Sequence, residues 1–263
     1  MLNMTSFEFD GCKYRKTSKH QKEWGNKIIS GLELMGNEVI LDLGCGDGIL
    51  TEKLSQLVPD GKVIGIDASA GMLNEAKKSE KENLKFQLID IDDINFSNEF
   101  DLIFSNATLH WVKDHKKMLS NCYKALKSGG IIRFNFAGDG NCSNFFAVVK
   151  EVITYEDFQK YFAGFQWPWY MPSINEYELL ANGSNFKDID VWDENADRYF
   201  NNADEMILWI DQPSLVPFSK QIDDEKDRKN FRVQVIKMMV DRTQNETGKC
   251  FETFRRINIF AGK

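Results

Sequence analysis

The chain has 263 residues, of which 42% are hydrophobic and 28% charged, enough for one α/β domain with a helical cap or for two small domains. Its formal net charge of −7 and its pI near 5.2 argue against a nucleic-acid partner, which would need a basic stripe. Because no apolar run approaches the roughly 18 residues of a membrane span and no signal peptide opens the chain, we expect a cytoplasmic protein without a membrane partner.

An amphipathic helix is predicted before the first strand. Apolar residues recur at helical spacing from Trp24 to Leu32, and Thr17 or Ser18 is a candidate N-cap. We expect this leading helix to pack over the mouth of a ligand site at the carboxyl end of the sheet.

The segment 40–48 ends an apolar strand in a turn of small residues, and the helical pattern 49–57 follows directly. Three glycines alternate in this turn: Gly44, Gly46 and Gly48. They allow the backbone to approach a ligand closely. Their spacing is G-x-G-x-G, so it differs from the dinucleotide-binding fingerprint G-x-G-x-x-G, in which the last two glycines are three residues apart. Asp42 and Asp47 make the turn acidic, which suits a cation better than a pyrophosphate. Spacing and charge together favour S-adenosylmethionine over NAD.

Two further strands end in carboxylates. The run 63–67 ends at Asp67, 19 residues after the last glycine of the turn, a spacing at which an acid can accept hydrogen bonds from both ribose hydroxyls. The run 84–89 ends at Asp90, whose position at a strand end predicts a contact with the adenine amino group. A backbone N–H nearby would meet the adenine ring nitrogen.

The next apolar strand is followed by Asn106, His110 and Trp111. In an open parallel sheet, ligands bind where the winding direction reverses, here between the first and fourth strands. Asn106 should therefore face the glycine turn, with His110 and Trp111 further out, where a second substrate would dock. Two alternatives stay open: a structural role for His110, and a core-anchor role for Trp111. We interpret His115 as a residue on a helix surface.

The five cysteines are scattered without a C-x-x-C pair, which is typical of reduced thiols and gives no support for a metal site. Cys45 lies in the glycine turn among acidic neighbours. Such neighbours raise the pKa of a thiol, so Cys45 is interpreted as a small buried side chain and not as a nucleophile. Arg133 stands inside the fifth predicted strand, and a buried charge there needs an acidic partner or an anionic ligand.

Two segments depart from the alternation of strands and helices. The segment 138–172 is rich in aromatic residues, of which Trp167 and Tyr170, with Trp169, are candidates for an apolar acceptor pocket. The segment 201–248 contains two helical patterns, and the second carries Val233, Ile236 and Val240 on one face. A single last strand is predicted over Cys250–Phe260.

Together these motifs resemble the class I, Rossmann-like S-adenosylmethionine-dependent methyltransferases. The likeness is strongest to the branch that contains trans-aconitate, juvenile hormone acid and malonyl-carrier-protein methyltransferases. It is carried by 39–48, 65–69, 72–73, Asp90, 100–107, 109–112 and 126–130. The resemblance implies an α/β fold with a seven-stranded, mostly parallel sheet, an antiparallel last strand, helices on both faces and a helical lid formed by insertions.

The resemblance also implies a division of the chain. The expected parts are a cap-helix region at 1–37, a cofactor-binding core at 38–137, lid insertions at 138–172 and 201–248, and the rest of the core sheet at 173–200 and 249–263. In this family a polar residue near the start of the cap helix reaches the methionine carboxylate, which points to Gln21. The alternative is a solvent-facing glutamine. The expected cofactor-binding residues are Gln21, Asp42, Gly44, Cys45, Gly46, Asp67, Ala68, Met72, Asp90, Ile91 and Asn106.

The predicted activity is methyl transfer to a small-molecule acceptor, and the resemblance favours a carboxylate that becomes a methyl ester. The expected acceptor-binding residues are His110, Trp111, Trp167 and Tyr170, and His110 is the candidate base for an acceptor that must lose a proton. The alternatives are O- or N-methylation of another small apolar metabolite, a protein that binds the nucleoside without catalysis, and a dehydrogenase. A monomer and a homodimer are both compatible with the sequence.

Overall fold

The computed structural model describes residues 8–263, apart from the side chains of Lys16, Thr17 and Pro213. The candidate cap Thr17 therefore lies outside the described side chains. The chain divides into two compact units. Unit 1 contains the chain up to Asp139 together with Trp169–Glu194 and Arg256–Lys263, and unit 2 contains Gly140–Pro168 and Asn195–Arg255.

Short strands alternate with helices along most of the chain. In chain order the strands are β1 Val39–Leu43, β2 Lys62–Asp67, β3 Leu84–Leu88, β4 Phe100–Asn106, β5 Leu126–Ala137, β6 Lys187–Asn195, β7 Arg198–Phe200, β8 Cys250–Glu252 and β9 Arg255–Gly262. The helices are α1 Gly11–Thr17, α2 Lys19–Ser30, α3 Ile49–Leu57, α4 Ala70–Ala76, α5 His115–Ala125, α6 Ser143–Val152, α7 Ile174–Asn182, α8 Ala203–Trp209, α9 Val216–Ser219 and α10 Glu225–Thr243.

A seven-stranded sheet organises unit 1, in the order β3-β2-β1-β4-β5-β9-β6. The pairs from β3 to β5 are parallel, and β9 runs antiparallel to β5. Alternate residues of β1 enter different cores: Ile40 packs with α2, α3 and α4, and Leu41 packs with α5 and α7 on the opposite face. The predicted fold, a Rossmann-like sheet with helices on both faces and an antiparallel last strand, is confirmed.

The prediction of one strand over Cys250–Phe260 is wrong, because the segment forms two strands in different sheets. In unit 2, β8 pairs with β7 in a separate antiparallel ribbon. The Glu252 carboxylate at the end of β8 accepts hydrogen bonds from the backbone N–H groups of Asn144 and Phe145, at 3.1 and 2.9 Å. These donors belong to the first turn of helix α6. The end of β8 is therefore bound to the N-terminus of that helix and does not continue into β9. Only β9 belongs to the main sheet.

Among residues 8–263, no helix combines the length and the apolar character needed to cross a membrane.

Candidate active site

The glycine turn follows β1 and lies at the carboxyl edge of the sheet. Gly44, Gly46 and Gly48 all have positive φ, at +69°, +55° and +80°. The N–H groups of Gly44 and Cys45 donate to the Ile66 carbonyl at 2.8 and 2.9 Å, which ties the turn to β2. A methyl group on Gly44 would come within 2.0 Å of Thr108 Cγ2, and Thr108 Oγ1 donates to the Gly44 carbonyl at 3.0 Å. Neighbouring backbone and the loop after β4 therefore fix the shape of the turn.

Asp67, at the end of β2, lies against this turn. Its Oδ2 accepts from the Gly46 N–H at 2.9 Å, and its Oδ1 accepts from the Ser69 N–H at 2.8 Å. Burial raises the pKa of the carboxyl to about 6, against the opposite effect of these two donors. Each oxygen still has a lone pair for a ligand hydroxyl, because a carboxylate offers about four acceptor positions.

The two aspartates of the turn carry less free negative charge than the sequence suggests. Asp47 forms an ion pair with Lys22, with 3.2 Å between Oδ2 and Nζ. Asp42 is 2% exposed and accepts a hydrogen bond from Thr51 Oγ1 at 2.7 Å. Burial raises the pKa of Asp42 to about 7. The acidity that predicted a cationic ligand is thus partly neutralised by a lysine and by proton uptake.

The raised pKa of Asp42 predicts how stability depends on pH. Between its ordinary pKa of 3.8 and about 7, the folded protein holds a proton at Asp42 that the unfolded chain has released. As the pH rises through this window, the free energy of unfolding of the wild type therefore falls relative to that of Asp42→Asn, on the order of a few kcal/mol in all. Above about pH 7 the difference between the two proteins is constant. Urea unfolding of the two ligand-free proteins at pH 5 and pH 8 measures the effect. An equal stability difference at both pH values would contradict it.

Helix α2 brings Gln21 to the end of β4. The Asn106 side chain donates from Nδ2 to the Gln21 carbonyl at 2.9 Å. Asn106 Oδ1 and Gln21 Oε1 are both buried and have no hydrogen-bond partner among the described residues. The same holds for Ser18 Oγ, at the N-cap of α2. Unsatisfied buried polar atoms are rare in folded proteins, so this cluster indicates a polar ligand that is bound in the functional state.

The remaining cofactor candidates lie along β2, β3 and the turns that follow. Met72 and Ile91 are buried, and Ala68 lies between Asp67 and the helix α4. Asp90 Oδ1 accepts from the Asp92 N–H at 3.0 Å and so caps the short helical turn Ile91–Asp93.

Cys45 is a buried thiol inside the glycine turn. Burial raises its pKa well above the ordinary value, and the charges of Asp67 and Asp42 act in the same direction. This is the direction that the sequence predicted. The thiolate is therefore disfavoured, and the side chain fills space beneath the turn.

His110 lies in the helical turn Leu109–Trp111, which follows β4. Its carbonyl accepts from the Tyr170 N–H at 2.8 Å, and its ring Nδ1 is buried without a hydrogen-bond partner among the described residues. Burial lowers the pKa of His110 well below its ordinary value, and the charge of Arg256 lowers it further. The imidazole is neutral at pH 7.

The placement of His115 on a helix surface is wrong. Its side chain is 1% exposed, and its Nε2 lies 2.9 Å from the Leu109 carbonyl. A carbonyl only accepts, so Nε2 carries the proton, and Nδ1 accepts from the Tyr177 hydroxyl at 3.1 Å. His115 thus joins helix α7 to the turn that carries His110.

The aromatic candidates fall in both units. In unit 1, the Trp111 ring lies 5.2 Å from Trp169, and the Tyr170 ring lies 4.8 Å from His115. Trp167 belongs to unit 2, where its ring lies 5.4 Å from Phe218. The structure brings Tyr170 and Trp111 next to His110 through the backbone and ring contacts of unit 1.

Sequence reasoning missed Arg256, which is 3% exposed near the start of β9. Its Nε and Nη2 both donate to Asn135 Oδ1, at 2.9 and 2.7 Å, and its guanidinium lies 4.5 Å from the centre of the Trp24 ring. The one feature of the sequence that could have indicated Arg256 is its position as a charged residue within an apolar strand. Arg133 gave the same signal, and its guanidinium stacks on Trp192 at 4.6 Å.

Sequence reasoning also missed Tyr14, on helix α1. Its ring packs over the glycine turn, with Cε1 3.8 Å from where a Gly46 side chain would begin. Burial raises the pKa of its hydroxyl, as do the charges of Asp47 and Asp67. Within the residues that the structure describes, no three His, Cys, Asp or Glu side chains come together as a metal site requires.

Comparison with known proteins gives a consistent result. A family model described as a methyltransferase domain matches residues 40–130. Trans-aconitate 2-methyltransferase of Deinococcus radiodurans is 29% identical over 192 residues, which are 70% of this chain and 72% of the relative. Malonyl-[acyl-carrier protein] O-methyltransferase of Acetivibrio thermocellus is 32% identical over 135 residues, 50% of this chain. The chain spans about half the length of that second relative, 48%.

Solved structures share the fold at lower identity. The YcgJ protein from Bacillus subtilis has a TM-score of 0.61 and 17% identity, over 92% of this chain and 98% of the other. Phosphoethanolamine N-methyltransferase 2 of Haemonchus contortus, in complex with phosphomonomethylethanolamine and S-adenosylhomocysteine, has a TM-score of 0.55 and 20% identity, over 95% of this chain and 58% of the other.

Proposed function

Because the chain belongs to the class I, Rossmann-like S-adenosylmethionine-dependent methyltransferases, we propose that it methylates a carboxylate of a small-molecule acid. The observation that carries this acceptor class is the buried Arg256, which is in register with Ala137 at the carboxyl end of β5. A buried cation at this edge favours an anionic acceptor. The names of the two curated relatives, which specify trans-aconitate and a malonyl group, support the same class.

The residues of the site fit S-adenosylmethionine, which is the cofactor of this family. Asp67 would accept from the ribose hydroxyls, and the unpartnered oxygens of Asn106 and Gln21 would accept from the methionine ammonium. For Gln21 this replaces the contact with the methionine carboxylate that the family resemblance implies, because an amide oxygen can only accept. Asp90 and Ile91 would hold the adenine. The fit rests on the orphaned acceptor oxygens, because buried acceptors match a ligand that carries N–H and O–H donors.

When bound, S-adenosylmethionine supplies an electrophilic methyl group, whose bond to sulfur breaks as an acceptor oxygen forms the new bond. The protein has to hold the acceptor in line, and such positioning can lower a barrier by roughly 7–11 kcal/mol. A carboxylate acceptor is already ionised at neutral pH, so no residue has to remove a proton. His110, whose pKa is lowered by burial, would stay neutral and orient the acceptor through a hydrogen bond.

Hydroxyl or amine methylation is the second candidate, favoured by the aromatic side chains Trp111 and Trp169, which pack 5.2 Å apart next to His110. An apolar acceptor would suit such a surface. A hydroxyl acceptor must lose a proton, and His110 is the base within reach of that surface.

The test is methyl transfer from labelled S-adenosylmethionine to a panel of small carboxylic acids, run with the wild type and with His110→Ala. We expect ester formation, and less than about a tenfold loss of kcat in the variant, since a carboxylate needs no base. A loss beyond about a thousandfold with unchanged S-adenosylhomocysteine affinity would indicate acid–base chemistry on another acceptor. Cofactor binding without transfer to any acceptor would favour a non-catalytic binder.

A further inference from the structure

The short helical turn that carries His110 is held from outside at two of its carbonyl groups. The Leu109 carbonyl accepts from the Val112 N–H at 2.9 Å and lies 2.9 Å from His115 Nε2. The His110 carbonyl accepts from the Tyr170 N–H at 2.8 Å. These two carbonyls belong to the peptide groups that precede and follow the His110 Cα atom. Because each peptide group is planar, holding both of them leaves the side-chain torsions as the main freedom of His110.

His115, which holds the first of these carbonyls, has one protonation state and one tautomer. Burial lowers its pKa to about 4, so the imidazole is neutral at pH 7. Nε2 carries the single proton, because the Leu109 carbonyl can only accept. Nδ1 is then an acceptor, and the Tyr177 hydroxyl donates to it at 3.1 Å. The ring of His115 therefore connects Tyr177 to the turn through two hydrogen bonds.

Tyr177 is in turn held firmly in helix α7. Its side chain is fully buried, and its ring lies 4.8 Å from Phe136 on strand β5. The helix begins with a capping box, in which the side chains of Ser173 and Glu176 each accept from the backbone N–H of the other residue. Tyr170 lies just before this cap. One short stretch of chain therefore supplies the Tyr170 N–H and the Tyr177 hydroxyl, so the turn is tied to α7 at two points.

We propose that His115 is a positioning residue for methyl transfer, and that it fixes the direction in which the His110 ring meets the acceptor. This inference rests on the proposed function, in which His110 orients a carboxylate. A hydrogen bond weakens steeply as its angle departs from linear, so His110 orients an acceptor only if its own backbone is held. Both ring nitrogens of His115 are used within the fold, so its effect on the reaction passes through His110.

The test is a double-mutant cycle on methyl transfer to a small carboxylic acid. His115→Asn keeps an acceptor for the Tyr177 hydroxyl, but its shorter side chain does not reach the Leu109 carbonyl. We expect kcat to fall by about three- to tenfold, no more than in His110→Ala, with an unchanged affinity for S-adenosylhomocysteine. In the His110→Ala background the same substitution should not lower kcat further, because the group that it positions is absent.

His115→Gln is the conservative variant. Its amide Nε2 can donate to the Leu109 carbonyl, so kcat should return to within about twofold of the wild type. Tyr177→Phe removes only the hydroxyl that holds the His115 ring, and the same cycle with this variant decides if His115→Asn does not fold. Tyr123→Phe is the control, since it removes a tyrosine hydroxyl from helix α5, where the ring packs 5.4 Å from Phe186, and it should match the wild type.

Calorimetry with S-adenosylhomocysteine reports whether each variant is folded. An equal loss of kcat from His115→Asn with and without His110 would overturn the inference alone, because the histidine would then support the fold in general. Wild-type kcat in His115→Asn, or a His115→Gln variant as slow as His115→Asn, would overturn it as well. Transfer to no acid by the wild type would overturn the proposed function and the inference with it.

Discussion

Gly44→Ala should reduce the affinity for S-adenosylhomocysteine by at least about 100-fold. An alanine at φ +69° costs roughly 1–2 kcal/mol, and its methyl group would overlap Thr108 Cγ2 at 2.0 Å. Relief of that overlap must move the loop after β4 and break the hydrogen bond from Thr108 to the Gly44 carbonyl. Because Asn106 ends β4 directly before this loop, the change would displace both the glycine turn and Asn106 in the proposed cofactor site. Calorimetric titration with S-adenosylhomocysteine measures the loss.

Gly129→Ala is the matched control for this experiment. Gly129 has a similar φ of +77°, and nothing lies within 4 Å of the position that its methyl group would occupy. The control should lose only the stability that backbone strain costs, about 1–2 kcal/mol, and keep its affinity for the cofactor product. A Gly44→Ala variant that binds as tightly as Gly129→Ala would mean that the turn does not hold the cofactor.

The segment from β1 to Asp67 could be predicted because its determinants are local. An apolar run, an alternating glycine turn and a second run ending in an acid fix a strand, a bend and a neighbouring parallel strand. The contact between Asp67 and the Gly46 N–H, at 2.9 Å, follows from that topology. No distant residue is needed to argue it.

Partners that are distant in the sequence could not be predicted. His115 begins helix α5 with polar neighbours and has the local pattern of a surface residue. It is buried because Tyr177, 62 residues later, supplies a hydroxyl to its ring. Arg256 reaches the carboxyl end of β5 only through the register of β9 against β5. A sequence without an alignment carries no signal for that register.

Helix α10 shows a different limit, because two apolar stripes fit its helical spacing. On the face that holds Val233, Ile236 and Val240, Val233 is 56% exposed and the other two are half-buried. The buried stripe repeats every four residues and contains Phe231, Val235, Met239 and Thr243. Phe231 packs 5.3 Å from Phe158, so a large aromatic neighbour decides which stripe is covered. Hydrophobic periodicity predicts the helix, but it does not predict which of the two stripes is buried.

Asp67→Asn should weaken S-adenosylhomocysteine binding by about 100- to 1000-fold. The two carboxylate oxygens accept from the N–H groups of Gly46 and Ser69, so an amide would set its own NH₂ group against one of these donors. An unmet buried donor costs about 1–3 kcal/mol, and the charge-assisted bonds to the ribose hydroxyls would be weakened as well. Asp60→Asn, at an exposed position, is the control and should bind as the wild type does. Calorimetry measures the loss of cofactor contacts, and thermal unfolding measures the loss of hydrogen bonds within the turn. If Asp67→Asn loses stability and keeps its affinity for S-adenosylhomocysteine, Asp67 stabilises the turn and does not contact the cofactor.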